Sequence, residues 1–411
     1  MFLSKFVPEL GILGEFYYIC GMIDNTLFHT MRQILRHTPT SFRRYVYDKL
    51  PDNARLIGLT GPRGVGKSTL VLQKILQRDP DRSLYVDADN IYFSTHSLLE
   101  LANEMVKSGR NFLVIDEIHK YKNWSKELKQ IHDTLPELQV IFTGSSILDI
   151  KKGEADLSRR ALMFHIQGLS FREYLGLYKG VEIAPYTLQE ILEHRVDLPE
   201  IPHPLPDFHQ YLQTGYFPFS HEPEFGMRLN QIISQTVETD IPLFADMMAT
   251  TARKLKQLLG VLSNLAPYKP SIEKLAVEVG VSKNTLPEYL SLLERAGMIS
   301  LLRDNTNGLR SLGKVEKLYL DNPNFMYALA GVGTDIGNVR ETFFQNQVRV
   351  TSAVRTSRIA DFKIGDKIFE VGGKNKGQRQ LEGDPNGYIV KDDIEFGSGN
   401  IIPLWHFGLI Y

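Results

Sequence analysis

Cysteine is nearly missing from this 411-residue chain: Cys20 stands alone, which excludes a disulfide framework within the chain and fits a reducing compartment. Charge of one sign is missing too. Forty-seven Lys and Arg offset forty-eight Asp and Glu, for a net charge of −1, so no global basic excess announces a polyanionic partner. Long apolar runs are also lacking. The first 21 residues are moderately apolar but broken by Lys5, Pro8, Glu9 and Glu15, short of the about 18 to 20 apolar residues a membrane helix needs. Its charged start and small-residue cleavage site are poorly formed for a secretory leader, and Met22 is an alternative start that finding Met1 in a terminal-peptide mass would remove. A cytoplasmic setting without a membrane partner is therefore expected. With 43% hydrophobic and 23% charged residues, the length implies two to four globular domains.

What is present begins at Leu56. LIGLTGPRGVGKSTL is a short apolar strand, a glycine-rich turn and a helix start. The turn fills G-x-x-x-x-G-K-[ST] with Gly61, Gly66, Lys67 and Ser68, and Gly64 is an additional glycine. Glycines let successive backbone N–H groups and the helix N-terminus face an anion. The segment Gly61, Pro62, Arg63, Gly64, Val65, Gly66, Lys67, Ser68 and Thr69 is thus expected to cradle nucleotide phosphates. Lys67 would reach the β and γ phosphates, and the Ser68 hydroxyl would be a ligand of Mg²⁺.

A second acidic motif follows. FLVIDE, Phe112 to Glu117, is an apolar strand ending in two carboxylates, of which Asp116 would hold Mg²⁺ and Glu117 would orient or deprotonate the attacking water. Asp87 and Asp89, ending another strand at Leu84 to Asp87, lie near the expected site without an assigned role. A further strand, Leu138 to Thr143, runs into Gly144-Ser145-Ser146, where Ser145 would touch the γ-phosphate or the water. Arg159 and Arg160 then read either as an arginine finger, in cis or into a neighbouring subunit, or as a basic helix end making surface ion pairs. Helices near Leu98 to Val106 and Trp124 to Leu135 alternate with these strands, as in a doubly wound parallel sheet.

Four segments, IDEIHKYKNW (115–124), FTGSSILDI (142–150), DLSRRA (156–161) and LSFREYL (169–175), resemble AAA-type ATPases of bacteria and archaea that carry a C-terminal domain of unassigned function similar to restriction endonucleases. The resemblance covers nearly the whole chain after Met22. It implies a cytoplasmic ATPase using ATP and Mg²⁺, with Lys67, Ser68, Asp116 and Glu117 in their usual roles and Ser145 and the arginine pair more loosely matched. Without a guanine-specific N-K-x-D motif, adenine is favoured by default.

Elsewhere the chain divides by composition. Residues 1–50 read as a helical lead-in, with Leu27, Met31, Ile34 and Leu35 on one face and Arg43-Arg44 near its end, and 51–180 as the ATPase domain. Four prolines between Pro199 and Pro206 mark 181–225 as a stiff, extended connector. Within 226–320, Ile272 to Val279, a Gly280 turn, a second helix through Leu286 to Ala296 and strands at Ile299 to Leu302 and Lys317 to Leu320 make a winged helix. Asn284 or Ser282 would cap its second helix, and Pro287 in the first turn favours Asn284. From Ser271 to Leu320 seven basic residues face six acidic ones, so DNA is a partner that this fold invites and this charge balance does not. A homo-oligomer or protein partner is the alternative.

The last segment, 321–411, holds a hairpin about Gly365-Asp366. Its two-residue turn pairs Ile364 with Lys367, Lys363 with Ile368 and Phe362 with Phe369, and so sets Asp361 against Glu370. Like charges so placed need a shared divalent cation or a raised carboxyl pKa. With Glu341 upstream, these are the parts of a PD-(D/E)xK nuclease site, except that Gly372 stands where its lysine belongs and Lys374 is the nearest replacement. Lys374 sits about 6.6 Å further along the strand, unless Gly372-Gly373 bulges. A degenerate nuclease fold used for binding is expected, and the final IIPLWHFGLIY is read as a strand completing its sheet.

The expected architecture is therefore α/β: a P-loop NTPase with an AAA-like parallel sheet, then a helical winged-helix domain and a small α/β nuclease-like domain. The expected function is Mg-dependent ATP hydrolysis that switches the later domains. Its alternatives are an ATP-licensed, metal-dependent nuclease and a scaffold that holds nucleotide without turnover.

Overall fold

The computed structural model describes residues 25–144, 157, 159–245, 247, 249–267, 269, 271–303, 315–377, 381 and 383–411. Its first sheet is built from five parallel strands: β1 (Leu56–Thr60), β2 (Ser83–Asp87), β3 (Phe112–Asp116), β4 (Gln139–Gly144) and β5 (Leu162–His165). They lie in the order β2-β3-β4-β1-β5. β1 and β3 are buried along their whole length, as their unbroken apolar runs require once helices cover both faces of a parallel sheet. Their carboxyl ends share one edge, so the turn after β1 and the carboxylates after β3 meet there.

Helix α1 (Asn25–Arg36) buries Leu27, Met31 and Leu35 and packs on β2, where the Tyr85 N–H lies 3.2 Å from the Met31 sulfur. Helix α2 (Lys67–Leu76) starts directly at the glycine-rich turn. Helices α3 (Leu98–Lys107) and α4 (Trp124–Thr134) connect the next strands, and α5 (Phe171–Lys179) follows β5 with a capping box between Ser170 and Glu173.

The proline cluster is not extended throughout. Helices α6 (Leu188–Leu192) and α7 (Leu205–Gln210) occupy the expected connector, and Pro206 sits in the first turn of α7, where its missing N–H costs no hydrogen bond. Helices α8 (Phe225–Gln235), α9 (Ile241–Ala245) and α10 (Ala249–Leu265) lead to α11 (Ile272–Val279) and α12 (Leu286–Arg295). The hairpin β6 (Ile299–Arg303) and β7 (Val315–Leu320) comes next. Asn284 does not cap α12. The Ser282 hydroxyl accepts the N–H of Thr285 at 3.1 Å, because α12 begins later than Asn284 would place it.

After α13 (Pro323–Ala330) and α14 (Ile336–Val348) comes a second sheet, of β8 (Val354–Thr356), β9 (Phe362–Ile364), β10 (Lys367–Gly372), β11 (Gly387–Lys391) and β12 (Ile401–Pro403). β8, β9 and β10 are antiparallel, and β10, β11 and β12 parallel. Registers Ile364 to Lys367, Lys363 to Ile368 and Phe362 to Phe369 follow the two-residue turn. The final segment is only briefly a strand: after Pro403 it coils into a 3-10 helix, Leu404–Leu409, packed against α5 and α14.

A buried polar seam joins these parts. The Asn324 side chain accepts the Tyr216 N–H at 2.8 Å and donates to the Tyr211 and Leu212 carbonyls, while Arg349 pairs with Asp321 at 2.6 Å. Tyr411 brings its carbonyl oxygen to the Ser170 hydroxyl at 2.6 Å and to Arg172 at 2.8 Å. Among the described residues, no helix is long and apolar enough to cross a membrane.

Candidate nucleotide site

The turn after β1 has the backbone that its glycines permit. Gly64 and Gly66 lie at φ 82° and 92°, in the left-handed region, and Gly66 caps α2. A Cβ at Gly61 would fall 2.2 Å from the Ile166 carbonyl oxygen, so only glycine lets the turn pass beside β5. Lys67 is buried at 5% exposure and donates to the Gly61 and Pro62 carbonyls at 2.9 and 2.7 Å. Burial pushes its ammonium down to about 8, against the pull of Glu117 and Asp116.

Arg44, from the irregular stretch before β1, holds this turn and also lines the cavity beside it. Its guanidinium donates to the carbonyls of Val65, Gln167 and Gly168 and pairs with Glu173 at 2.9 Å, with both side chains buried. The sequence signals were Arg43-Arg44 and Glu173 in LSFREYL, but nothing in their spacing joins them.

Asp116 ends β3 and is buried. It accepts hydrogen bonds from the Tyr85 hydroxyl at 2.7 Å and from the Thr143 hydroxyl at the end of β4. Glu117 follows at φ 51°, an uncommon conformation for a side-chain-bearing residue, and its N–H is held by Asp116 at 3.1 Å and by Thr143 at 3.3 Å. Its carboxylate faces Arg63 at 3.5 Å and His119 at 3.7 Å. Burial lowers the His119 pKa, which favours its neutral form.

A cavity of about 710 Å³ opens onto Lys67, Ser68, Thr69, Asp116 and Glu117, within the range typical of small-ligand sites. Its further walls include Phe42, Pro218 and Phe219, and Asp87 also lines it. The exposed Ser68 hydroxyl and the Asp116 carboxylate are hard oxygen donors, and the latter is oriented by two hydroxyls. This set fits Mg²⁺. Asp89 instead pairs with Lys120 at 3.0 Å.

Ser145 lies outside the described residues. Arg159 is exposed, at φ 72°, and Arg160 forms a two-pronged pair with Asp133 at 2.8 and 2.9 Å. Both arginines precede β5, whose Leu162 pairs with Ile57 near the start of β1. They therefore stand at the amino edge of the sheet, opposite the turn at its carboxyl edge.

Beside the second sheet, Glu341 of α14, Asp361 just before β9 and Glu370 of β10 come together. Lys317 of β7 pairs with Glu341 at 2.5 Å and Asp361 at 3.5 Å, and Tyr319 donates to Glu341 at 3.1 Å. Asp361 accepts the Val371 N–H at 2.9 Å. The cation at Glu370 is Lys376, at 2.5 Å, rather than the exposed Lys374. A Cβ at Gly372 would lie 2.6 Å from the Lys376 stem, so the glycine at the expected lysine position opens the path by which a later lysine arrives. Burial raises the Glu341 and Glu370 pKa values, and the two lysines work against that shift. Lys317 and Lys376 went unrecognised because one lies on a distant strand and the other beyond a turn.

Residues 53–175 match the AAA domain family, and residues 205–335 match a domain family of unknown function. An uncharacterized protein of Methanocaldococcus jannaschii is 29% identical over 275 residues, which are 60% of this chain and 56% of that protein, so the chain spans little more than half of that relative's length. The Walker-type ATPase of Pyrococcus abyssi superposes with a TM-score of 0.43 at 15% identity, over 72% of this chain and 99% of that one. AMPPCP-bound DnaA from Aquifex aeolicus gives 0.27 at 16% identity, over 66% and 89%. Sheet order, turn geometry and family match agree: the N-terminal part of this chain has the P-loop NTPase fold and over residues 53–175 is similar to the AAA domain family.

Proposed function

We propose that this chain binds Mg·ATP and hydrolyses it, and that the nucleotide state moves the segments after the ATPase domain. The observation that supports this best is a single cavity bringing together Lys67, Ser68, Asp116 and Glu117 from the carboxyl ends of β1 and β3. Backbone N–H groups from Gly61 to Thr69 would hold the phosphates, with Lys67 turning from its two carbonyl partners to the β and γ oxygens. Ser68 and Asp116 would hold Mg²⁺, which when bound would neutralise phosphate charge. Glu117 would orient the attacking water. A site presented at the sheet edge, with Arg160 at the opposite edge, favours assembly in which one copy's arginine serves its neighbour's site.

Turnover by wild type, Lys67→Ala and Glu117→Gln tests the proposal. Loss in both variants is expected, and unchanged turnover in Glu117→Gln would remove that residue from its role.

A second reading comes from the cluster of Glu341, Asp361 and Glu370. α11, α12 and the β6-β7 hairpin support a winged helix, and the C-terminal sheet with its carboxylates supports a nuclease-like domain. Lys317 and Lys376 already pair with these three carboxylates, two cations offsetting part of their charge, which favours binding over cutting. Mg²⁺-dependent nicking of DNA, lost in Asp361→Ala, would reverse that preference.

A further inference from the structure

Arg63 occupies a variable position of the glycine-rich turn, where only its backbone was expected to matter. Its side chain leaves the turn and enters a group of three charges. The guanidinium donates to both Asp240 carboxylate oxygens, at 3.2 to 3.3 Å, and the same terminal nitrogen stands 3.5 Å from a Glu117 oxygen. Asp240 is 9% exposed, Glu117 16% and Arg63 25%, so the group is mostly shielded from solvent. Asp240 closes the π-helical turn Thr236–Asp240 that follows α8. That helix also touches the glycine-rich turn: a Cβ at Gly64 would meet Ile232 at 3.0 Å.

We propose that Asp240 and Arg63 form a relay that positions Glu117 for hydrolysis. Asp240 makes the closer, two-oxygen contact and so fixes the plane of the guanidinium. Arg63 passes that constraint to the Glu117 carboxylate, whose backbone is already held by Asp116 and Thr143. Both acidic residues share this cation, so displacement of the turn at Asp240 frees the guanidinium to turn and shifts the glutamate it faces. The rate of water attack is thereby tied to the placement of the α8 segment, outside the parallel sheet. This inference rests on the reading of Glu117 as the residue that orients water.

Steady-state ATP hydrolysis by the full chain, with kcat and KM separated, tests the relay in Arg63→Gln, Arg63→Lys, Asp240→Asn and the Arg63→Gln/Asp240→Asn double variant. Fluorescent ADP binding and far-ultraviolet circular dichroism would show that each variant keeps its site and fold. Arg63→Gln and Asp240→Asn should each lower kcat about tenfold, with KM within about twofold of wild type. The double variant should be no slower than Arg63→Gln alone, and Arg63→Lys should fall between wild type and Arg63→Gln. A wild-type kcat in Asp240→Asn, multiplicative losses in the double variant, or an effect confined to KM would overturn the relay. If Asp240→Asn does not fold, Asp240→Glu serves instead, with a lowered kcat expected and a wild-type kcat overturning the proposal. Glu117→Gln, measured alongside, separates the two failures. Turnover persisting in Glu117→Gln defeats the assignment of the water-orienting residue, whereas its loss there with normal rates in the relay variants defeats the relay alone.

Discussion

His406 shows what one buried side chain contributes to acid sensitivity. It is 5% exposed, and burial depresses its pKa from 6.5 to about 3. The unfolded chain takes its proton as pH falls through 6.5, while the folded chain refuses it until about 3, so stability falls with pH across that window. The contribution approaches ~1.4 kcal/mol per pH unit well inside it. Urea denaturation at pH 7.5 and 5.0 should show a smaller acid loss in His406→Phe than in wild type; equal losses would place the sensitivity elsewhere. Gly61 sets a different limit at the same scale. Gly61→Ala should destabilise by ~1–3 kcal/mol and abolish ATP binding, because its Cβ would meet backbone rather than a movable side chain. Calorimetric titration with ATP checks the binding half of that expectation.

Elements are held to the glycine-rich turn by a charge pair that the strand-turn-helix pattern does not contain. Arg44 and Glu173 lie 129 positions apart, both buried, with the Val65 carbonyl also on the guanidinium. Arg44→Ala would leave Glu173 buried without its cation, and chemical denaturation should record a loss of about 3–5 kcal/mol. Less than ~1 kcal/mol would mean that solvent replaces Arg44 there. The contrast marks how much was legible. The glycine-rich turn and FLVIDE are contiguous, and their residue types answer to phosphate and metal chemistry, so strands, turn and helix could be placed from local pattern. The β9-β10 register was legible for the same reason, since a two-residue turn leaves little freedom. Pairings such as Arg63 with Asp240, 177 positions apart, carry no local periodicity. Lys376 was missed because a spacing rule assumes an unbroken strand, whereas its stem crosses the space above Gly372. The position of Pro287 favours Asn284 as a cap, but the Thr285 N–H goes to the Ser282 hydroxyl instead.

On the scale of the whole molecule, the buried seam of Asp321, Asn324 and Arg349 joins the β7-α13 region to Tyr211, Leu212 and Tyr216, while Tyr411 meets Ser170 and Arg172. These contacts join the segment after β5 to the chain's last residue and the region after α7 to α13. If Arg160 serves a neighbouring copy, turnover per subunit should rise with protein concentration in wild type and stay flat in Arg160→Ala. A rise retained in Arg160→Ala would leave that arginine as the partner of Asp133 alone. The central claim is tested most directly by single-turnover hydrolysis of ATP by the full chain with Mg²⁺ and with EDTA, comparing wild type, Lys67→Ala and Glu117→Gln at a concentration where wild type binds nucleotide. Mg²⁺-dependent γ-phosphate release is expected from wild type alone, with Glu117→Gln still binding ATP; bound ATP that wild type never cleaves, or equal cleavage by Glu117→Gln, would show that the site does not hydrolyse nucleotide as proposed.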